Sequence, residues 1–177
     1  MSIVIRELPA GELDRIAEID RSEHVTVLYH HEKGELVAED VDLAVPAWYA
    51  EGDEYSVQSK LKHWRPIVDE GGVLLGAIDG ERLAGFAILR YRLDEGMAQL
   101  AVLHVSRPYR RQGIASLLTD EVCRLARADG AQSLYVSATP SNSAVGFYTN
   151  LGFTLVDQPH PELFALEPED IHMIKAI

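Results

Sequence analysis

Leu103-His104-Val105-Ser106-Arg107-Pro108-Tyr109-Arg110-Arg111-Gln112-Gly113-Ile114-Ala115 is the stretch on which the reading of this chain turns. It leaves an apolar run, Met97 to Val105, crosses a basic turn with one glycine, and enters a pattern of Ile114, Leu117, Leu118, Val122 and Leu125. Only Gln99 and His104 interrupt the apolar run, which predicts a central strand buried on both faces. The later pattern has helical spacing, and Gly130 is placed to end it. A strand that feeds a helix through such a turn is an anion site in physical terms. The first N–H groups of the helix lack partners, and the helix dipole adds positive potential there. Gly113 and Ala115 have little or no side chain, so an extended phosphate group can approach the backbone closely. Arg107, Arg110 and Arg111 add charge. The absence of Gly-Lys-Ser/Thr excludes the usual P-loop, and the missing Gly-x-Gly-x-x-Gly counts against a dinucleotide fold. Without its surroundings, the same stretch also reads as an ordinary turn with exposed arginines.

Outward from this point, hairpin and helix signals alternate. Val73 to Ile78 and Leu83 to Tyr91 are apolar runs joined by Asp79-Gly80-Glu81-Arg82, a strong hairpin signal. Ser133 to Ser137 predicts another short strand. Ser141 is placed to cap a second helix carrying Val145, Phe147 and Leu151, ended by Gly152. Towards the N-terminus, Ile3 to Leu8 reads as a strand, and Pro9 opens a helical pattern of Leu13, Ile16 and Ala17. Val25 to Tyr29 and Leu36 to Val41 flank a turn at Glu32 to Glu35. Tyr55 to Arg65 predicts a helix with Val57, Leu61 and Trp64 on one face and Pro66 ending it. Ile171 to Ile177 closes the series as a last strand. The mixture implies an α/β or α+β sheet architecture, read as one domain over residues 1–177.

The chain has 177 residues with 28 acidic and 16 basic side chains, a net charge of −12. That balance argues against a nucleic-acid partner, whose footprint should be basic. No stretch approaches the ~18 apolar residues of a membrane span, and the first residues lack the pattern of a signal peptide. A single cysteine, Cys123, fits a reducing compartment. The expectation is a soluble cytoplasmic protein without a membrane partner. Its position inside a helix makes Cys123 a packing residue rather than a nucleophile. His30-His31 has no partner at metal-ligand spacing, so no metal is expected.

Two motifs together resemble a known family. Arg110-Arg111-Gln112-Gly113-Ile114-Ala115 is similar to the R/Q-x-x-G-x-G/A signature of the GNAT superfamily of N-acetyltransferases. Ser141-Asn142-Ser143-Ala144-Val145-Gly146-Phe147-Tyr148-Thr149-Asn150-Leu151-Gly152-Phe153 resembles that family's later helix, which often ends in Phe-Tyr-x-x-x-Gly-Phe. The likeness is good from Val73 to Phe153 and weak elsewhere. It implies a mixed, mostly antiparallel sheet with a splayed parallel strand pair and flanking helices, with acetyl-CoA as co-substrate in the splay. The splaying strands would be Met97 to Val105 and Ser133 to Ser137.

On this resemblance, backbone groups of Leu103, His104 and Val105 pair with the pantetheine arm like an added strand. One of their N–H groups would hold the thioester oxygen. The turn at Arg110, Arg111, Gln112, Gly113, Ile114, Ala115 and Ser116 would wrap the pyrophosphate. Tyr148 matches the tyrosine that protonates or orients the leaving thiolate, with a half-buried packing role as the alternative. Many members carry an asparagine seven positions before the tyrosine. Here that position is Ser141 and Asn142 follows it, leaving the cofactor contact to either or neither.

Strand positions that often carry a glutamate base in the family are apolar or neutral here, Gln99 and Val136 among them. His104 is a candidate base, although a lone histidine in an apolar strand is more often a packed core residue. Glu18, Asp20 and Glu23 lie near the first helix's end, where relatives bind acceptors; their default reading is surface charge. The implied activity is transfer of an acetyl group to a primary amine. The alternative is a non-catalytic acyl-CoA sensor that kept the cleft. Dimers are common in the family, which makes a homodimer an expectation. Residues 35–54 hold seven acids and no lysine or arginine, beside Trp48 and Tyr49. That contrast with the basic turn predicts a cationic acceptor, with the aromatic pair as a cation–π face.

Overall fold

The hairpin signal at Asp79 to Arg82 joins two neighbouring strands of the large sheet. The computed structural model describes residues 2–177. Its strands are β1 (Ile3–Leu8), β2 (Glu23–Glu32), β3 (Glu35–Val45), β4 (Val73–Asp79), β5 (Arg82–Asp94), β6 (Met97–Val105), β7 (Ser133–Ala138), β8 (Thr154–Leu155) and β9 (Ile171–Ala176). The helices are α1 (Val57–Asp69), α2 (Ile114–Ala128), α3 (Asn142–Asn150) and α4 (Pro161–Leu166), with 3₁₀ turns at Ala10–Glu18 and Arg107–Tyr109. Seven strands form one sheet in the order β1-β4-β5-β6-β7-β9-β8, and β2 and β3 form a separate ribbon. Neighbours in the large sheet are antiparallel except β6 and β7, which run parallel. This is the mixed, mostly antiparallel architecture that the two motifs implied.

Each face of the sheet has its own core. α2 and α3 cover one face, where Leu118, Val122, Leu134, Tyr148 and Phe153 pack together. The 3₁₀ segment and α1 cover the other, where Leu13, Ile16, Phe86 and Ile88 are buried and Leu61, Trp64 and Ile67 pack against them. Cys123 lies inside α2, buried in the first core, and burial raises its thiol pKa. The ribbon docks through Tyr29, whose N–H donates to the Pro140 carbonyl at 2.7 Å.

The helix expected to stop at Pro66 continues to Asp69. Proline removes only its own N–H bond and still accepts: Glu70 N–H donates to the Pro66 carbonyl at 2.9 Å. Ile67 and Val68, directly after it, pack against the second core and hold the last turn in place. Two short elements, β8 and α4, carry no sequence signal of comparable strength.

Candidate active site

β6 and β7 begin as a pair and then separate. Only Met97, Ala98 and Gln99 pair with Ser133, Leu134 and Tyr135. Immediately beyond, the register on the other edge of β6 slips: Leu89 of β5 faces Leu100 while Ile88 faces Val102. The extra residue is Ala101, and a bulge there bends β6 and increases its twist. From Leu100 to Val105, β6 stays bonded to β5 and leaves its β7-facing edge open.

The alternation of an antiparallel ladder says which peptide groups point into that opening. Ser106 N–H donates to the Ala84 carbonyl at 2.8 Å, so Ser106 and, two residues back, His104 direct their backbone groups at β5. Leu103 and Val105 therefore direct theirs at the open edge. Of the three residues named from the sequence, His104 has its backbone occupied by β5 and the other two do not. The Val105 carbonyl is taken by Arg110 Nε at 3.0 Å, so its N–H and both Leu103 groups form the free row.

At the end of β6 the chain turns into α2. Arg111 and Gly113 both adopt left-handed backbone, with φ of 61° and 80°. A nonglycine residue rarely does so, and such turns direct successive N–H groups to one side. Gly113 caps α2 with no side-chain hydrogen bond. The first helical bond runs from Leu117 N–H to the Gly113 carbonyl at 3.0 Å. Among the described residues, nothing accepts from the N–H groups of 111–116. A Cβ built on Gly113 would meet nothing within 4 Å, so the space above these donors is open. The turn is braced from below: Tyr109 Oη donates to Asp79 at 3.1 Å and Gln112 Nε2 to the Pro108 carbonyl at 3.2 Å.

The arginines divide by role. Arg110 reaches the carbonyls of Val105, Ser22 and Asp20 at 3.0, 3.0 and 3.3 Å, so its guanidinium ties β6 to the loop before β2. Its own N–H donates to the Arg107 carbonyl. Arg110 thus stands in the structure as a brace, although the motif placed it at the pyrophosphate. Arg111 is exposed beside the free N–H groups.

α3, which packs on β7 and β2, carries Tyr148. Its ring is buried edge-on against Phe147 and Phe153, with centroids 5.2 Å away in each case. Burial, reinforced by the charge of Asp170, raises its pKa and keeps the hydroxyl protonated. Among the described residues, that hydroxyl has no hydrogen-bond partner. Ser141 is buried and caps α3, accepting from Ala144 N–H and pairing with Ser143 Oγ at 3.1 Å. Asn142, the first residue of the helix, is exposed. Glu23 accepts from Ser143, Glu18 pairs with Arg15, and Asp20 accepts from Ser22 N–H, so all three acids near the first helix are engaged locally.

The opposite side of β6 carries the titratable groups. His104 sits among Phe86 and Trp64, ring centroids 5.7 and 6.0 Å away. Burial pushes its pKa down to about 3, helped by the charges of Arg21, Arg110 and Lys60. Arg21 lies over Trp48 at 4.4 Å and Lys60 over Tyr55 at 4.5 Å. Of the aromatic pair Trp48 and Tyr49 expected to meet a cationic acceptor, Trp48 is thus already covered by the chain's own Arg21. Glu167 and Asp170, on the loop between α4 and β9, are near enough to Lys60 to feel its charge, and sequence reasoning did not single them out. Partial desolvation raises both carboxyl pKa values, although Glu167 stays at the surface and Asp170 is half-buried. For Asp170, the neighbouring Glu167 adds to the rise and Lys60 opposes it, giving about 7. Among the described residues, no three His, Cys, Asp or Glu side chains gather as a metal cage requires, and no helix is long and apolar enough to cross a membrane.

A model of the acetyltransferase (GNAT) family matches residues 15–153. The Drosophila melanogaster protein named "Probable N-acetyltransferase san" is 25% identical over 118 residues, which is 64% of this chain. The matched part also spans 64% of the fly protein, a little under two thirds of its length. The crystal structure of nourseothricin acetyltransferase superposes with a TM-score of 0.73 at 20% identity, covering 99% of both chains. The PaiA N-acetyltransferase of Thermoplasma acidophilum, solved with coenzyme A, gives a TM-score of 0.65 at 20% identity over all of both chains. At these identities, the likeness to the solved structures is one of fold.

Proposed function

Because this chain belongs to the acetyltransferase (GNAT) family, we propose that it is an enzyme moving an acetyl group from acetyl-CoA directly to a primary amine. The observation that carries this reading is the coincidence, at one end of β6, of an open strand edge with six unpartnered N–H groups, together with a protonated tyrosine on the helix that follows β7. The residues present fit the co-substrate. A pyrophosphate suits the free donors of 111–116, where a dipole and an open glycine favour an anion. The arm suits the edge of Leu103 and Val105, whose N–H groups also polarise a thioester oxygen.

Acetyl-CoA, when bound, supplies an acyl carbon already activated as a thioester. What the chain supplies is position and protons. Tyr148 holds its proton on Oη at neutral pH and can lend it to a departing sulfur. Asn142 is the cofactor contact on α3, since the hydroxyl of Ser141 is occupied in capping. Arg110 acts by holding β6 and the turn in register, and Arg111 by its charge.

The acceptor is a cationic small molecule or peptide on this reading, with the acidic stretch of residues 35–54 as its support. Its carboxylates attract a cation at long range, an effect that salt screens within a Debye length of ~10 Å at 0.1 M. A panel of polycationic, neutral and anionic amines over a salt series tests this. The expected result is a kcat/KM highest for polycations and falling as salt rises. A preference for anionic amines, or a salt-independent rate with polycations, overturns the charge assignment. The reading also includes a cytoplasmic site of action, consistent with one buried free cysteine, and a homodimer, which sedimentation at working concentration would reveal.

A further inference from the structure

The proposed reaction leaves one proton without an acceptor. An amine near neutral pH arrives as ammonium and must be deprotonated before its lone pair can attack. His104, the base candidate named from the sequence, is held at about pH 3 by its surroundings and binds a proton too weakly at neutral pH. Gln99 does not titrate, and Tyr148 is held in its acid form.

The loop between α4 and β9 offers a different group. Asp170 immediately precedes Ile171, which pairs with Ala138 at the last position of β7. It therefore stands at the end where β7 has parted from β6. The loop is anchored by a chain of partly buried polar contacts. The N–H of His160 donates to Tyr135 Oη at 3.0 Å, and Tyr135 Oη bonds His172 Nδ1 at 2.9 Å. His172 Nε2 then reaches the Glu167 carbonyl at 3.0 Å, and Asp170 N–H closes back on that carbonyl at 3.3 Å. This chain is satisfied throughout if His172 donates from Nε2 and accepts at Nδ1. It fixes the loop on β7 and β9 rather than leaving the carboxylate on a loose segment.

The charged and titratable groups facing Asp170 come from three elements. Glu167 lies on its own loop, Lys60 on α1 and Tyr55 just before α1, and Tyr148 lies on α3. Asp170 is thus an electrostatic neighbour both of the proposed proton donor and of Tyr55. Resting on the acetyl-transfer reading above, we propose that Asp170 is the catalytic base that takes the proton from the incoming ammonium.

The protons balance. The ammonium passes one proton to the Asp170 carboxylate, and the freed nitrogen forms the N–C bond as the C–S bond breaks. The nitrogen's second proton replaces the one that Tyr148 gives to sulfur. Products are the amide, the free thiol and one proton, which Asp170 returns to water. Burial and Glu167 raise the Asp170 pKa to about 7, and Lys60 keeps it from rising further. A carboxylate so placed is ionised in useful amount at neutral pH and basic enough to act.

The sign is fixed by the role: only ionised Asp170 works, so kcat/KM should rise with pH through about 7. The test takes whichever amine turns over fastest among peptide N-termini, free lysine, polyamines and aminoglycosides. Asp170→Asn should remove the limb near neutrality and lower kcat by roughly 10²–10⁴-fold, with the melting-temperature rise on acetyl-CoA intact. Glu167→Gln removes a like charge, so the limb should move to lower pH with turnover retained. In the unliganded protein, carboxyl-carbon NMR should show one aspartate titrating near neutrality that Asp170→Asn deletes. An Asp170 that titrates in the ordinary carboxylate range, or an Asp170→Asn enzyme with the wild-type pH profile, overturns the proposal. Turnover that persists in this variant leaves acetyl transfer standing and removes only Asp170. Absence of turnover on every amine overturns acetyl transfer itself, and Asp170's role with it.

Discussion

Replacing Tyr148 by phenylalanine is expected to lower kcat by roughly 10²–10⁴-fold, the range associated with general acid help. The cofactor side should be untouched, so acetyl-CoA should raise the melting temperature of the variant as it does the wild type. Stability should change little. The ring keeps its edge-on contacts with Phe147 and Phe153, and the lost hydroxyl has no protein partner among the described residues. A Tyr148→Phe enzyme with near-normal turnover would make the tyrosine a packing residue and move the proton source elsewhere.

The second large effect concerns binding. A ligand held only by the folded state stabilises it by about 2.7 kcal/mol at a hundred times its Kd, or roughly 5–10 °C for a chain of this size. Acetyl-CoA should produce a rise of that order in the wild type and none in Gly113→Val. The substitution acts twice at this position. Its side chain fills the open space above the donors of 111–116, and its branched Cβ opposes the φ of 80° that aims them. The second effect also lowers the melting temperature of the unliganded variant by a few degrees, so the quantity to compare is the ligand-induced rise. An undiminished rise in Gly113→Val would place the anion elsewhere.

Much of this architecture was legible from patterns a few residues long. The Met97 to Val105 run is bounded in the structure where its apolar residues begin and end, and Gly130 and Gly152 follow their helices with left-handed φ. The splay was reached by family resemblance, because its cause involves two strands at once. The bulge at Ala101 exists only in the pairing of β6 against β5. Pro66 misled for a related reason, since the apolar residues after it are held by tertiary packing that outweighs the lost bond. The choice between Ser141 and Asn142 was open in the sequence and is narrowed by the cap that Ser141 makes. Asp170 gave almost no local signal. It lies in Glu167-Pro168-Glu169-Asp170, which reads as solvated acidic loop, and its perturbation comes from desolvation in the fold and from Glu167, opposed by Lys60 about a hundred residues away in the chain. The one feature that could have drawn attention is an acid directly before the apolar start of a strand, at Ile171.

The most direct test of the central claim is to follow thiol release from acetyl-CoA across the amine panel while identifying the acetylated product by mass spectrometry. Acetyl transfer predicts equal amounts of free coenzyme A and N-acetylated amine, with at least one amine turning over well above the rate of hydrolysis alone. Binding of acetyl-CoA without product on any amine would contradict it and favour a sensor that has kept the cleft.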